Sequence, residues 1–369
     1  MSLLNIEIKK YKLSELANLF ETDFIKNSEV LPISKNRLES YQNNPRAQDQ
    51  DIVLYLAVLN NKIVGFRTIL ADIIYKENIA FKFGWFSGNW VHSEYRRRGV
   101  STSLFNEVYR DWKGRLMFTN YAPNSKKLYD KSNKFDLLNL KEGLRLYYKS
   151  TLHKIIPKRI PQMFFITPLL KILDYLINVF LSPYSKLWNR QFGISKTIEI
   201  ASELSAEDYR FIVSNARSVF NRGEEELKWI FNYPWLIASK HTNNNYPFSQ
   251  FAKRFEYISV KSRSENGTMV SLAILKIRDD QLTIPYFFDS TSSLQMLESI
   301  ISIGLNKNVE TITFYHEQLL SRIAKVKTRA IFSKKMVQKY FIMKSFAKNI
   351  DINTHNLNIQ DGDGDCFFT

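Results

Sequence analysis

The 369-residue chain has a single cysteine, Cys366, which excludes an intramolecular disulfide and a cysteine-based zinc site. No GxxxxGK[ST], HExxH or serine-hydrolase signature occurs, so nothing points to a P-loop nucleotidase, a zinc peptidase or a serine hydrolase. The opening MSLLNIEIKKYKLSEL lacks the basic stretch and apolar run of an export signal and reads as a first strand, so a reducing, cytoplasmic setting is expected. Glycine is scarce, at 12 residues, while aromatics make up 14%, a balance that predicts well-filled cores. There is no polybasic run either: the 52 Lys and Arg outnumber the 36 Asp and Glu for a net charge of +16, yet they are scattered along the chain. Such a field suits phosphorylated ligands, nucleic acid or anionic lipid and does not choose among them.

The chain is too long for one ordinary domain and comfortable for two. Residues 1–150 alternate between strand and helix patterns. DIVLYLAVLNNKIVGFRTILADIIY reads as a hairpin turning at Asn60-Asn61, IAFKFGWFSGNWV as a further strand, and GVSTSLFNEVYRDW as a helix with Leu104, Val108 and Trp112 on one face. GRLMFTNY is another strand, and FDLLNLKE and LRLYYKS read as two closing strands.

Residues 151–192 differ in character, with an apolar core from Met163 to Leu181 that is long enough to span a bilayer. Lys171 and Asp174 would be costly near the bilayer centre, so a helix packed on protein is expected, with an interfacial helix lying on a membrane as the alternative. From 193 the order strand, helix, strands, helix, strand begins again and predicts a structural repeat. The expected division is therefore 1–150, a connector at 151–192, and 193–369.

Where the strand ending WV meets the helix beginning GVSTS, the sequence is HSEYRRR. The first N–H groups of a helix lack intrahelical partners and sit at the positive end of its dipole, so they attract phosphate. Gly99 would let a pyrophosphate approach the backbone, with Arg96, Arg97 and Arg98 adding charge and Ser101, Thr102 and Ser103 adding hydroxyls.

These residues resemble the acyl-CoA-binding motif of the GNAT superfamily of N-acetyltransferases, Arg/Gln-x-x-Gly-x-Gly/Ala, with Arg96, Gly99 and Ser101 at the matching positions. Ser101 is a small departure. Residues 118–135 resemble the family element N-x-x-A-x-x-L-Y-x-K-x-G-F, with Ser125 at the small position, Leu128-Tyr129 at Leu-Tyr and Lys131 at Lys. Ala122 stands where asparagine is usual, and one extra residue precedes Phe135, with Asn133 able to take the left-handed turn of the glycine.

The resemblance implies an α+β fold of two GNAT-like domains, each a mixed, mostly antiparallel twisted sheet flanked by helices, joined by the apolar connector. It implies acetyl-CoA as co-substrate, no metal, and a binding set of Trp90, Val91, Arg96, Arg97, Arg98, Gly99, Val100, Ser101, Thr102 and Asn124. It also implies direct attack of an amine on the thioester, a backbone N–H near Val91 holding the carbonyl oxygen, and Tyr129 protonating the leaving thiolate.

The general base is open, since the strand before the loop has no carboxylate. The candidates are His92, Glu94 and a water held by Ser87 or Asn89. In the second half the corresponding stretch, DSTSSLQMLESI, has neither glycine nor arginine, and Asp289 would repel phosphate, so that half is not expected to bind CoA. The tail DGDGDCFFT spaces three aspartates as a calcium loop does but lacks the loop glycine and the closing glutamate, and calcium is not expected.

The acceptor expected is a small-molecule primary amine, with an amino sugar or nucleotide sugar of surface-polysaccharide synthesis chosen on the aromatic segment EELKWIFNYPWL and the apolar connector. Two alternatives stand beside it: a tandem-GNAT aminoacyl-tRNA-dependent transferase, which the intact CoA loop argues against, and a non-catalytic acyl-CoA-binding protein. Nucleic acid is not an expected partner.

Overall fold

A computed structural model describes residues 5–120, 123–191, 194–216, 218–240, 245–289, 294–352 and 357–368. The chain forms two compact units, Met1–Leu140 with Ala216–Ala252 and Gln338–Thr369, and Lys141–Asn215 with Lys253–Val337. They alternate along the sequence, whereas the sequence pattern divides it linearly at 150 and 192.

In the first unit, β1 (Glu7–Lys12), β2 (Ile52–Leu59), β3 (Lys62–Lys76) and β4 (Ile79–Val91) pair antiparallel in that order. The β2–β3 turn is Asn60-Asn61 and the β3–β4 turn Glu77-Asn78, all four with positive φ, the conformation of a two-residue hairpin that follows the strand twist. The helix α1 (Lys35–Gln42) begins at Ser34, whose Oγ accepts the Arg37 amide. After β4 comes α2 (Val100–Asp111), which packs on β2, β3 and β4 through Val100, Leu104, Phe105 and Val108. β5 (Leu116–Thr119) then runs parallel to β4, and Tyr340–Ile342 of the strand Phe332–Met343 pair antiparallel on its other edge. The helix α3 (Pro123–Ser132) comes after β5.

A buried ion network ties distant segments into this unit. Asp72 on β3 accepts two hydrogen bonds from Arg222 (2.6 and 2.9 Å), one from Arg46 (2.9 Å) and one from the Trp85 indole (2.7 Å). Arg222 also stands 3.6 Å from Asp363, and Arg46 pairs with Glu226 at 2.7 Å. Burial alone would raise the Asp72 carboxyl, but Arg222 and Arg46 more than offset it and hold it below the usual carboxylate range. The sequence pattern offers 225–236, read as part of the second half, as a candidate for stacking on a sugar, with an amphipathic helix whose aromatics lie in the core as the alternative. The segment instead packs inside the first unit: Trp229 donates to Ser40 O at 2.6 Å, and Trp235 stacks on Phe368 with centroids 4.7 Å apart.

The second unit repeats the plan. β6 (Phe135–Tyr147) enters it at Lys141, as one strand where two are expected. Gly143 does not break it, because a Cβ there would lie 2.4 Å from the Tyr315 ring and 2.7 Å from Phe314 O; the glycine permits a close approach. β7 (Ile198–Ala201), β8 (Phe255–Arg263), β9 (Met269–Arg278) and β10 (Gln281–Asp289) pair antiparallel in that order. After α4 (Leu294–Asn306), β11 (Thr311–Phe314) pairs parallel with β10 and antiparallel with β6. Four antiparallel strands, a helix and a parallel fifth strand thus occur twice, as the repeat predicts.

The connector belongs to this unit as the helix Thr167–Gln191, preceded by a 3-10 turn, Pro161–Ile166. The expectation of a helix packed on protein needs correction, since its apolar side chains are mostly exposed.

Replacing Arg222 with leucine leaves Asp72 and Asp363 buried without their shared cation. It is expected to destabilise the protein by about 3–5 kcal/mol, read as a lower urea midpoint with the slope unchanged.

Candidate active site

β4 and β5 share only two rungs, Gly84–Leu116 and Trp85–Met117, and then part. Beyond them the edge of β4 from Phe86 to Val91 has no strand partner among the described residues, so a notch opens between the two strands. Ser87 is skipped in the β3–β4 register, where Ile69 faces Phe86 and Thr68 faces Gly88, so the strand bulges at the notch. Val91 lies on the unpaired edge, where a free backbone N–H is expected, and its carbonyl accepts from Arg96 Nε at 3.1 Å.

The loop at the end of β4 is built as a cradle. Gly99 has φ 86° and stands at the N-cap of α2, and a Cβ there would meet nothing within 4 Å. Ser103 N donates to Gly99 O, so the amides of Val100, Ser101 and Thr102 precede the first intrahelical bond and are available to an anion. Arg97 is left-handed (φ 62°), and Arg98 lies over the Tyr95 ring at 5.8 Å; both are exposed, as is Arg96. The Val100 side chain is buried in the core, so only its backbone can face a ligand. Asn89 Nδ2 reaches Ser101 Oγ at 3.5 Å and links strand to helix. Trp90 stacks on Phe66 with centroids 5.6 Å apart. Asn124 lies on α3, and its side chain is outside the described residues; Ala122 is also outside them.

Tyr129 closes the floor of the notch. Its ring stacks on Phe118 at 4.4 Å and lies 5.9 Å from Phe86, the two residues just past the last rungs. Its hydroxyl oxygen accepts from Arg67 Nη1 at 3.2 Å, which leaves the phenolic proton to be donated elsewhere. Arg67 is fully buried and lies over the Phe86 ring at 4.5 Å, while its Nε and Nη2 find no hydrogen-bond partner among the described residues. A buried guanidinium so placed favours negative charge beside Tyr129.

The wall opposite is supplied by a residue to which the sequence pattern assigns no chemistry. Asp365 bridges the notch: Oδ2 accepts from Ser87 on the bulge at 3.0 Å and Oδ1 from Thr119 at the end of β5 at 2.9 Å. Burial raises its carboxyl above the usual range, and Thr119, Arg37 and Ser87 only partly offset this. The 357–368 segment is held there by Asp363, which accepts from Ser218 Oγ (2.9 Å) and Gln360 N (2.8 Å), and by Phe368 against Trp235. The available signal is the pair Phe367-Phe368, which marks the tail as buried and its aspartates as turned inward.

His92, one of the candidates for the base, uses Nδ1 to accept the Glu94 amide at 3.4 Å and packs between Trp90 and Tyr95. It caps the 3-10 turn Ser93–Tyr95 and, with Glu94, lines a cavity of about 520 Å³ bordered by Asp23, Glu29 and Lys62.

Residues 13–135 match the model of the acetyltransferase (GNAT) family. The match takes in β2 through α3, with the notch and the Gly99 loop among its residues. A probable N-acyltransferase from Enterococcus faecalis has TM-score 0.53 at 11% identity, over 93% of this chain and 73% of its own. A GCN5-related N-acetyltransferase from Anabaena variabilis gives 0.48 at 9%, over 91% and 72%. The Saccharomyces cerevisiae N-myristoyltransferase with bound myristoyl-CoA gives 0.48 at 9%, over 93% and 83%. No curated protein matches the sequence. At 11% identity the likeness to the first of these concerns the fold alone, a GNAT fold of mixed, mostly antiparallel sheets with flanking helices.

The second unit has the same fork. β10 and β11 pair from Gln281–Thr311 to Thr283–Thr313 and then part. His316 Nε2 donates to the first free carbonyl, Ile284 O, at 2.7 Å, and its ring lies against Phe287. Burial, reinforced by Lys141, pushes this histidine down to about 3, so it is neutral at physiological pH. Asp289 pairs with Arg322 at 3.1 Å, and residues 290–293 lie outside those described.

Gly99→Glu places a carboxylate before the helix amides and is expected to weaken acyl-CoA binding at least a hundredfold by calorimetry. Gly99→Asn, which tolerates positive φ without charge, is expected to retain most of the affinity, and both variants should melt within a few degrees of the parent.

Proposed function

We propose that the first unit is an N-acyltransferase that passes an acyl group, acetyl in the first instance, from acyl-CoA to a primary amine. The observation that carries this reading is the notch between β4 and β5, with the Gly99 cradle at the end of β4 and titratable groups on both walls, Asp365 on one and Tyr129 on the other.

An acyl thioester supplies an electrophilic carbonyl and a thiol leaving group, so the amine nitrogen bonds to carbon as the C–S bond breaks. In this reading the amides of Val100, Ser101 and Thr102 hold the pyrophosphate, and an N–H on the free edge of β4 holds the developing oxyanion. Asp365, its proton affinity raised by burial, takes the proton that the amine loses. Tyr129 gives its proton to the thiolate, and Arg67 stabilises the charge left on the phenol oxygen. The short acyl group is supported by the floor of Phe86, Phe105, Phe118 and Tyr129, whose rings pack against one another and leave little depth past the last rungs.

The amino-sugar acceptor loses its residue basis, because the tryptophans that suggest it are core. A primary amine remains the proposed class. The test is a thiol-release assay over amines with acetyl-CoA and longer acyl-CoA. Absence of release with every amine in a broad panel, despite tight acyl-CoA binding, would turn the reading to a non-catalytic binder.

Asp365→Asn is expected to lower kcat by roughly 10²–10⁴. Because the base must be unprotonated, the parent rate falls with acidification through a pKa above the usual carboxylate range, and that limb should vanish in the variant. Tyr129→Phe is expected to lower kcat by a similar factor at unchanged acyl-CoA affinity. It also leaves Arg67 short of a partner, a cost of about 1–3 kcal/mol that thermal melting would register; parent-like turnover would remove Tyr129 as the acid.

A further inference from the structure

The connector helix of the second unit inverts the polarity of an ordinary surface helix. Beside the buried Leu170, the side chains it turns toward protein are polar. Asp174, 3% exposed, accepts from Ser150 Oγ (2.6 Å), Leu152 N (2.8 Å) and His153 N (2.9 Å), and Asn178 exchanges two hydrogen bonds with the Ser150 backbone. The side chains it turns outward are large and apolar: Phe164, Phe165 and Phe180 are 72, 79 and 77% exposed, and Leu169, Ile172 and Tyr175 continue the same surface. A contiguous apolar face of this size on a soluble surface marks an interaction site.

The occupant is constrained by charge and by the anchoring. Pro161–Leu181 has a mean hydropathy of 1.7 and is long and apolar enough to cross a membrane. However, Asp174 and Asn178 clamp the middle of the helix to the Ser150–His153 turn, so it lies along the unit instead of leaving it. Lys158 and Arg159 are exposed just before the apolar stretch, and Lys171 is exposed within it, in a chain of net charge +16. Aliphatic and aromatic side chains flanked by cations complement an anionic lipid surface, whereas a second copy would bring like charges together.

We propose that this face docks the protein on an anionic bilayer surface, with the helix lying in the headgroup region and the Phe164, Phe165 and Phe180 rings reaching the acyl boundary. The polar side is already satisfied by the unit itself, so docking buries apolar area without stranding a polar group.

The test uses the full chain and extruded vesicles of phosphatidylcholine alone or mixed with phosphatidylglycerol, read by co-sedimentation. The parent is expected to partition to the mixed vesicles, less to the neutral ones, and less again at high salt. Phe164→Ser, Phe165→Ser and Phe180→Ser together are expected to reduce partitioning by roughly tenfold or more, at an unchanged melting temperature because the rings are exposed. Lys158→Glu with Arg159→Glu disturbs no core contact and should abolish the preference for anionic vesicles. A parent that stays in the supernatant with both vesicles overturns the proposal. So does a parent dimer in ultracentrifugation that the triple substitution dissociates, which would assign the face to a second copy.

Discussion

The first unit depends on Arg222. Its guanidinium reaches Asp72 on β3 with two nitrogens and turns the third toward Asp363, so one side chain joins the middle of the sheet to the 357–368 segment. Two buried carboxylates this close repel each other, and burial raises the Asp363 carboxyl, unlike that of Asp72. The arginine makes the arrangement tenable, with Ser218 and the Gln360 amide holding Asp363 from the other side. Its functional consequence lies two residues further along the chain, where Asp365 arrives between Ser87 and Thr119, across the mouth of the notch. Asp363 and Asp365 are two residues apart, so the anchoring of the first limits where the second can reach.

The two units show how one framework keeps or loses a ligand site. Both fork a parallel strand pair after a few rungs, which frees backbone groups that must find partners. In the second unit the neutral His316 supplies one from within, and an Arg322–Asp289 pair stands at the end of the strand. In the first unit the edge from Phe86 to Val91 stays open, and the glycine-headed helix lies beyond it. The second half, which lacks the glycine and arginines, thus has a buried histidine bonded at its fork.

The features legible in the sequence are local ones. Asn60-Asn61, Gly99 and Asn133 each announce a left-handed backbone that few residues tolerate, and the structure has positive φ at all of them. The repeat is legible from element order, because hairpins and amphipathic helices declare themselves within a dozen residues. The interleaving of the units and the place of Asp365 are not legible in that way. They rest on contacts across 246 and 278 residues, and an aspartate in a glycine-rich tail carries the same local signal whether it meets water, calcium or a buried hydroxyl. Gly143 misleads for the opposite reason: its local meaning, a break, gives way to a tertiary one, room for Tyr315.

The proton path in the proposed reaction rests on the asymmetry of the notch walls. Asp365 is held by two hydroxyl donors, and burial still raises it above the usual carboxylate range, so its carboxylate gains a proton more readily than an exposed one. Tyr129 accepts from a guanidinium whose other nitrogens lack partners among the described residues, so its own O–H is left to donate elsewhere. In the proposed reaction Asp365 accepts a proton and Tyr129 releases one. Acyl transfer from a thioester to an amine requires that order, since the nucleophile must lose a proton and the thiolate must gain one on opposite sides of the same carbonyl. Reversing the two environments, a cation beside the carboxylate and an apolar pocket around the phenol, would leave the same residues in place and remove the direction.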